Sequence, residues 1–165
     1  MNEELLPEIY VAVFRQCTPH WNMPKQAIAH WNITYVVQGR AQYRINGEEY
    51  ALAAGDVLCL PPGAIREALT FSDNLMQCFS IDFGLINLKK EAAHLSLPVL
   101  HHLSQEKRIS QLFHELSFIW LDKQPGYKIR TRALFLLILF HLQESFFGSS
   151  SAGGGEGGQT DVSRP

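Results

Sequence analysis

The chemistry open to this chain is best judged from the stretch Gly55–Arg66, where residue types and spacing are most constrained. A Gly-Asp turn, the short apolar strand Val57–Leu60 and a Pro-Pro-Gly turn follow one another and lead to Arg66. An arginine side chain holds a fixed positive charge and several hydrogen-bond donors, but it has no lone pair to give to a metal. The stretch therefore favours binding of a small polar or anionic guest over metal coordination.

The usual signatures of nucleophilic and phosphate chemistry do not occur in the sequence. It contains no Gly-x-Ser-x-Gly elbow, no phosphate-binding loop and no paired-acid constellation. Cys59 and Cys78 have no histidine close by in sequence to act as a base. His101 and His102 look like a metal pair, but no third donor follows at helical spacing, so we predict a solvent-exposed linker there. We expect no catalysis and no cofactor.

Length and composition fit one ordinary domain. The 165 residues are 46% hydrophobic, enough for a sizeable core, and the net charge of −2 provides no basic patch for nucleic acid. An odd number of cysteines without a Cys-x-x-Cys pair predicts reduced thiols in a cytoplasmic protein. The longest apolar run, Ala133–Phe140, is far shorter than a membrane span, and Met1 leads into no signal peptide, so we expect no membrane partner.

Hydrophobic periodicity predicts short strands followed by two helices. Strong β-formers, alternation and an Asn46-Gly47 hairpin signal place the strands at Ile9–Cys17, Ile28–Gln38, Ala41–Ile45, Glu48–Leu52, Val57–Leu60 and Leu75–Phe83. Thr18–Pro24 is predicted as a loop held by two prolines. Apolar residues then recur at spacings of three and four, which predicts helices over Gln105–Leu121, capped by Ser104, and over Lys128–Phe147. The expected fold class is mainly β with a C-terminal helical pair.

In this order the elements resemble the N-terminal sensor domain of AraC-type (arabinose-regulator family) transcription factors. The likeness covers roughly Pro7–Phe147 and is carried by Ile33–Gly39, Gly47–Tyr50, Leu52, Gly55-Asp56-Val57, Pro61-Pro62-Gly63 and Ile81–Phe83. The resemblance implies a cupin-like β-barrel (jelly roll) followed by two antiparallel helices. It divides the chain into a flexible arm at 1–8, the barrel at 9–100, a dimerising helical pair at 101–147 and a Gly/Ser-rich linker or tail at 148–165.

The resemblance also implies where a guest would bind. In the second cupin motif a metal-binding histidine would stand at Arg66, and of the first motif only His30 is kept, with Asn32 at the next histidine position, so we expect no metal. An effector is expected to contact His30, Asn32, Thr34, Arg66, Cys78, Ser80 and Trp21. A small sugar or carboxylate suits such a site, because a few polar groups in an apolar cup fix the orientation of the guest.

Three of these assignments have an alternative. Arg66 could pair with Glu67 or another carboxylate at the barrel mouth and be surrounded by water. His30 could be a core or rim residue without a contact to the effector. Trp21, on its loop, could pack against the barrel instead of covering the guest.

The second helix carries an apolar stripe that we predict as a homodimer interface, made of Phe135, Leu136, Leu139, Leu142 and Phe146. The alternative is that the stripe belongs to the core. We interpret the chain as the sensing and dimerisation domain of a transcriptional regulator. DNA would be bound only through a C-terminal helix-turn-helix module that these residues do not contain. The alternative function is a stand-alone cupin enzyme, such as a sugar isomerase or lyase, with His30 as acid–base.

Overall fold

The structure is a computed structural model that describes residues 4–89, 95–103 and 107–151, with side chains described up to residue 148. Within these ranges the chain forms strands first and helices last. The strands are β1 (Leu5–Gln16), β2 (Asn22–Ala27), β3 (Trp31–Gln38), β4 (Arg40–Ile45), β5 (Glu48–Ala53), β6 (Asp56–Leu60), β7 (Ile65–Thr70), β8 (Gln77–Asn87) and β9 (Leu100–His102). The helices are α1 (Lys107–Asp122) and α2 (Tyr127–Ser151). The predicted fold class, mainly β with a C-terminal helical pair, is confirmed.

Two antiparallel sheets face each other and enclose the barrel interior. The helix-side sheet has the strand order β1-β8-β3-β6-β9, and the open sheet has the order β2-β7-β4-β5. Because side chains alternate across a strand, every second residue of each strand points between the sheets. Val36, Leu58 and Cys78 of the helix-side sheet pack there with Tyr43 and Leu52 of the open sheet.

The other face of the helix-side sheet is covered by the two helices. Ile33 and Phe79 from the sheet join Phe113 of α1 and Phe135 of α2 in one buried cluster. β3 is therefore covered on both faces, and its residues Asn32–Val36 are all buried, with the polar Asn32 and Thr34 on the side of the barrel interior.

Both predicted helices form, and the second one is longer than predicted. We expected Gly148 to end it, but α2 continues to Ser151, since a glycine inside a helix costs only about 1 kcal/mol relative to alanine. The predicted cap Ser104 lies outside the described residues, as does the predicted linker from residue 152 onward. None of the helices in the described ranges has the length and apolar character needed to cross a membrane.

Two predictions about the first part of the chain need correction. The predicted loop Thr18–Pro24 is a strand from Asn22 onward. Pro24 is tolerated because β2 is an edge strand that pairs only with β7, with a register shift between Met23 and Gln26. In addition, β1 begins at Leu5, inside the segment predicted as a flexible arm.

The prediction of a linker at His101 and His102 is also wrong, although the His102 side chain is exposed as predicted. Both residues belong to β9, which pairs with β6 at the edge of the helix-side sheet. His102 Nδ1 lies 2.6 Å from Asp56 Oδ1, and His101 Nε2 lies 3.1 Å from the Ser145 Oγ of α2. β9 thus ties the barrel edge to the second helix.

Tight turns set the register of the strands that follow. Asn46 and Gly47 have positive φ angles of 49° and 89° and join β4 to β5, as the Asn-Gly signal predicts. Gly39, with φ 77°, joins β3 to β4, and a Cβ atom there would overlap the backbone carbonyl of Leu75. Only glycine therefore fits at this corner.

Candidate functional site

A network of four polar side chains lies between the sheets at one end of the barrel. Asn32 and Thr34 are two residues apart on β3, and Ser80 and Asp82 are two residues apart on the neighbouring β8. Each pair therefore lies on one face of its strand, and all four side chains point to the interior. Asn32 Nδ2 donates to Ser80 Oγ at 3.0 Å and to Asp82 Oδ1 at 2.6 Å. Thr34 Oγ1 donates to Asn32 Oδ1 at 3.0 Å. Because Asn32, Thr34 and Ser80 are buried, these bonds hold the side chains in fixed positions.

Arg66 enters the same end of the barrel from the open sheet. It lies on β7, a strand that we did not predict, and together with His30 and Asp82 it lines a cavity of about 220 Å³. Its Nε is buried and has no hydrogen-bond partner among the described residues. Burial lowers the pKa of Arg66, an effect that Tyr43 and the Asp82 carboxylate oppose. An arginine with its high ordinary pKa nevertheless keeps its charge, so the mouth presents a cation.

The alternative in which Arg66 pairs with Glu67 is not realised. Adjacent residues of a strand point to opposite faces, and Glu67 instead accepts a hydrogen bond from Arg44 Nη1 at 3.0 Å on the outer surface. Within the part of the chain that the structure describes, no carboxylate oxygen lies within 4.0 Å of the Arg66 guanidinium. Arg66 thus has free hydrogen-bonding capacity toward the cavity.

His30 lies at the rim of this cavity. Its side chain is exposed, and its ring centroid is 4.5 Å from that of Tyr10. Tyr10 occupies a register shift between Ile9 and Val11 in the pairing of β1 with β8. His30 is therefore a rim residue that also faces the cavity.

Asp82 and Tyr10 belong to the mouth although we did not predict them. Asp82 could have been found, because it follows Cys78 and Ser80 at the same spacing of two on the same face of β8. Nothing in the sequence indicates Tyr10, since its position depends on an irregularity in the β1–β8 ladder.

Of the seven predicted contacts, only His30 and Arg66 line the mouth cavity. Asn32, Thr34 and Ser80 lie behind Asp82 in the buried polar network.

The two remaining predicted contacts lie away from the mouth. Cys78 is fully buried in the apolar interior, where burial raises the pKa of its thiol to about 12. Trp21 is half-buried against the same interior cluster, 5.7 Å from the Arg15 guanidinium carbon. The Trp21 carbonyl accepts from Thr70 N, at the end of β7 opposite to Arg66. Trp21 thus packs against the barrel.

Beyond the polar network, the barrel interior is filled. The apolar side chains that fill it come from both sheets and the corners between them: Ile28, Val36, Ala41, Tyr43, Ile45, Leu52, Leu58, Leu60, Ala64, Ala68, Met76 and Cys78, joined by Cys17. The mouth cavity lies at the polar end of this packed interior.

A second concave region lies on the outer face of the open sheet. It encloses about 350 Å³ beside Asn22, Gln42 and Leu69. Arg44 at its wall is already bonded to Glu49 at 2.8 Å and to Glu67 at 3.0 Å. The charge of Arg44, unlike that of Arg66, is therefore compensated by two neighbouring carboxylates.

The residues at the mouth do not fit the transition metal that many cupin barrels hold. Such a metal requires roughly three or four lone-pair donors from the protein. Arg66 has none to offer, and the Asn32 amide is engaged with Asp82, Ser80 and Thr34. Among the described residues, no three His, Cys, Asp or Glu side chains come together in a group that could hold an ion.

The structure divides the predicted dimer residues into two sets. Phe135, Leu139 and Leu142 are buried in the protomer's own core, against α1 and the helix-side sheet. Leu136 is 40% exposed, and Phe146 is half-buried with its ring 6.0 Å from that of His101.

Comparisons with known proteins give one family and several structures. Residues 8–139 match the family model of the AraC-like ligand binding domain. No curated protein sequence matches the chain.

The solved structures that this chain matches are distant in sequence. A cupin protein from Bacteroides fragilis is 19% identical with a TM-score of 0.40, over 50% of this chain and 70% of its own. A Cupin 2 conserved barrel domain protein from Salinispora arenicola is 18% identical with a TM-score of 0.41, over 51% and 79%. The protein YhaK from Escherichia coli is 15% identical with a TM-score of 0.48, over 61% of this chain and 44% of its own. This chain thus spans less than half the length of YhaK.

Proposed function

This chain belongs to the AraC-like ligand binding domain family, and from that premise we propose that it binds a small effector at the barrel mouth and transmits this event through a helix-mediated dimer to a DNA-binding module. The single observation that carries the effector site is the mouth cavity of about 220 Å³, which places Arg66, Asp82 and His30 around one space. A concave site with a few placed polar groups is the usual form of a small-molecule pocket.

The rigidity of the mouth supports this assignment. The bonds among Asn32, Thr34 and Ser80 fix the wall behind Asp82, so a guest meets groups that are already oriented. A preorganised site loses less free energy of binding to the ordering of side chains. Arg66 lines the cavity without a carboxylate partner among the described residues, so its guanidinium is a charged donor that a guest can engage.

The site is tested by thermal-shift screening of the protein against small sugars and small acids. We expect a binder to raise the melting temperature of the wild-type protein and of Arg44→Ala, and to have little effect on Arg66→Ala. Arg44→Ala is the matched control, because it removes an arginine from the outer cavity of the open sheet. A binder that is lost in Arg44→Ala and retained in Arg66→Ala would place the site outside the barrel.

Dimerisation through α2 is the second part of the proposal. After its buried face is accounted for, α2 still exposes Ile129, Ala133, Leu136, Phe140 and Phe147. Their spacings of four, three, four and seven place them in one stripe along the helix, as in helices that pair with one another. Such a contiguous apolar stripe favours a partner surface, and a second copy of the chain is the simplest partner for it.

The path from the mouth to the dimer helix supports a sensing role. The ring of Tyr10 on β1 contacts that of His30 at the rim, and three residues earlier the Pro7 carbonyl accepts a hydrogen bond from Arg132 Nε of α2 at 3.1 Å. An effector that favours one arrangement of β1 would thereby shift the population of α2 arrangements. DNA binding would be the task of a helix-turn-helix module outside these residues. The three buried free thiols support a cytoplasmic location for this role.

We propose further that the domain does not catalyse a reaction. His30, the candidate acid–base of the enzyme alternative, is exposed and in ring contact with Tyr10, without a nucleophile hydrogen-bonded to it in the described residues. Metal analysis of the purified protein, combined with product analysis after incubation with sugars, tests this. Stoichiometric iron, manganese or zinc together with turnover would establish the enzyme alternative instead.

A further inference from the structure

The mouth cavity is lined by two opposite charges that do not neutralise each other directly. Asp82 comes from β8 of the helix-side sheet and Arg66 from β7 of the open sheet, and both border the same space of about 220 Å³. Among the described residues their charged groups are not joined by an ion pair within 4.0 Å. A guest in this space therefore meets an anion and a cation at the same time.

Asp82 is held as an acceptor. Its Oδ1 receives the Asn32 amide at 2.6 Å, which is a short, strong bond and fixes the carboxylate. Its Oδ2 has no hydrogen bond to any described residue, and the side chain is only partly buried. The free oxygen can accept a hydrogen bond from a hydroxyl or an ammonium group of a guest.

Arg66 is held as a donor of the opposite charge. Its Nε lacks a protein partner, and the guanidinium is deep enough for burial to lower the pKa of the group. The Asp82 carboxylate opposes this shift, so the two charges interact across the cavity although they do not touch.

We propose that the mouth selects a net-neutral guest that donates hydrogen bonds to Asp82 and accepts them from Arg66, and that it rejects simple carboxylates. The inference rests on the proposed function and narrows its effector class, for which the sequence left both a sugar and a carboxylate open. A guest with a lone carboxylate gains an attractive interaction with the Arg66 guanidinium. In so small a space, however, the carboxylate also lies close to Asp82, and like charges in a partly buried site repel strongly. Asp82 is thus the specificity-determining residue.

Two kinds of molecule share the chemistry of a donor end and an acceptor end. A monosaccharide offers hydroxyl groups, which both donate and accept. A zwitterionic amino acid offers an ammonium group to Asp82 and a carboxylate to Arg66. Binding measurements with both classes of molecule distinguish a monosaccharide from an amino acid.

The test uses matched pairs of probes on the full chain, measured by thermal shift and then by isothermal titration. One series pairs aldopentoses and aldohexoses with the uronic acid of the same configuration. The other pairs zwitterionic amino acids, such as alanine, with the acid that lacks the ammonium group, such as propionate. We expect the wild-type protein to bind the neutral or zwitterionic member of one series at least about tenfold more tightly than its acidic partner.

Asp82→Asn should reverse this preference. It keeps an oxygen for the Asn32 amide, removes the charge and puts an amide donor in place of the free acceptor oxygen. The acidic partner should therefore bind about tenfold more tightly than to the wild-type protein, and the neutral or zwitterionic partner more weakly. Glu67→Gln is the matched control, because it removes a carboxylate next to Arg66 in sequence but on the outer face, and it should behave as the wild-type protein does. Circular dichroism of each unliganded variant checks that the fold is kept.

The outcomes separate the inference from the function on which it rests. If the wild-type protein binds the acidic partners as well as or better than the neutral ones, the sensing function stands and the inference is wrong. The wild-type comparison decides this even if Asp82→Asn does not fold. If no member of either series binds the wild-type protein, the proposed effector site itself fails, and the inference fails with it.

Discussion

Single residues in this molecule are constrained by backbone geometry as well as by chemistry. Gly39 and Gly47 both have positive φ angles, of 77° and 89°. They differ in surroundings, because a Cβ atom at Gly39 would overlap the Leu75 carbonyl, whereas nothing lies within 4 Å of one at Gly47. Comparing the same substitution at Gly39 and at Gly47 therefore separates the strain of a left-handed backbone from the cost of a steric clash.

We predict that Gly39→Ala lowers the free energy of unfolding by about 3 kcal/mol, since both strain and clash apply. Gly47→Ala should lower it by only about 1 kcal/mol, since the backbone strain acts alone. Urea unfolding followed by circular dichroism measures both values. Equal losses in the two variants would contradict the close approach of Gly39 to Leu75.

The buried thiols predict a pH dependence of stability at the alkaline side. Burial raises the pKa of Cys59 and of Cys78 from 9.0 to about 12. Between these values the unfolded chain loses thiol protons that the folded protein retains. The contribution of the two thiols to the free energy of unfolding is therefore complete below pH 9 and is lost as the pH rises toward about 12. The loss amounts to up to about 1.4 kcal/mol per pH unit for each thiol.

Cys59→Ala tests this pH dependence. The cavity that the alanine leaves lowers the stability by a similar amount at every pH, whereas the loss of the thiol makes the alkaline decline less steep. Urea unfolding at several pH values between about 8 and 11 gives the two slopes. Parallel curves for the variant and the wild-type protein would show that Cys59 does not titrate as its burial requires.

At the scale of elements, β9 shows how three residues can join two parts of the fold. β9 pairs with β6. The buried Asp56 at the start of β6 accepts hydrogen bonds from the Nδ1–H of His102 at 2.6 Å and from the Ala53 amide at 2.8 Å. The His102 side chain is 68% exposed and that of Asp56 only 10%. The Asp56 carboxylate therefore stabilises both the β5–β6 turn and the pairing of β9 at the sheet edge, whereas the His102 imidazole contributes only to the pairing of β9.

We predict that Asp56→Ala lowers the free energy of unfolding by about 2 kcal/mol, because it leaves the Ala53 amide without its acceptor. His102→Ala should cost only about 0.5 kcal/mol, since water screens and replaces the exposed imidazole. Hydrogen exchange at Leu103, whose amide donates to the Gly55 carbonyl at 2.9 Å, should accelerate more in Asp56→Ala. A larger effect of His102→Ala would contradict this ranking.

At the scale of the whole molecule, the two faces of α2 have different tasks. Phe135, Leu139 and Leu142 hold the helix against α1 and the barrel. The stripe that includes Leu136 and Phe140 is exposed. A charge on the first face would disrupt the core, and a charge on the second should affect only association.

We predict that the wild-type protein sediments as a dimer and that Leu136→Glu and Phe140→Glu sediment as folded monomers. Analytical ultracentrifugation measures the mass, and circular dichroism confirms the fold. Phe118→Glu is the control, because Phe118 is 71% exposed on α1, outside the stripe, and this variant should remain dimeric. A monomeric wild-type protein would contradict the proposed dimer. If Phe118→Glu also became monomeric, the interface would include α1.

Much of the architecture was predictable because its signals are local. Apolar periodicity identified β3, β4, β5, β6, β8 and both helices, and the Asn46-Gly47 pair identified a hairpin. β2 was missed because Pro24 is compatible only with an edge strand, and edge position is not written in the local pattern. β9 was missed because a three-residue strand has no period of its own to detect.

The candidate site was predictable in part. Alternation along β3 and β8 correctly indicated that Asn32, Thr34 and Ser80 share one space, and the same alternation extends to Asp82. Whether a guest reaches Cys78 or Trp21 was not predictable, because it depends on how the other side chains fill the interior.

The sequence by itself determined the kinds of elements, their order and the presence of a guanidinium at position 66, since turn chemistry, periodicity and residue type act over a few neighbouring positions. Only the tertiary structure decided that Arg66 and Asp82 border one cavity and that three of the five residues predicted for the α2 dimer stripe are buried. Those facts depend on the register between strands far apart in the chain and on the packing of one sheet on another, which no short stretch of sequence contains.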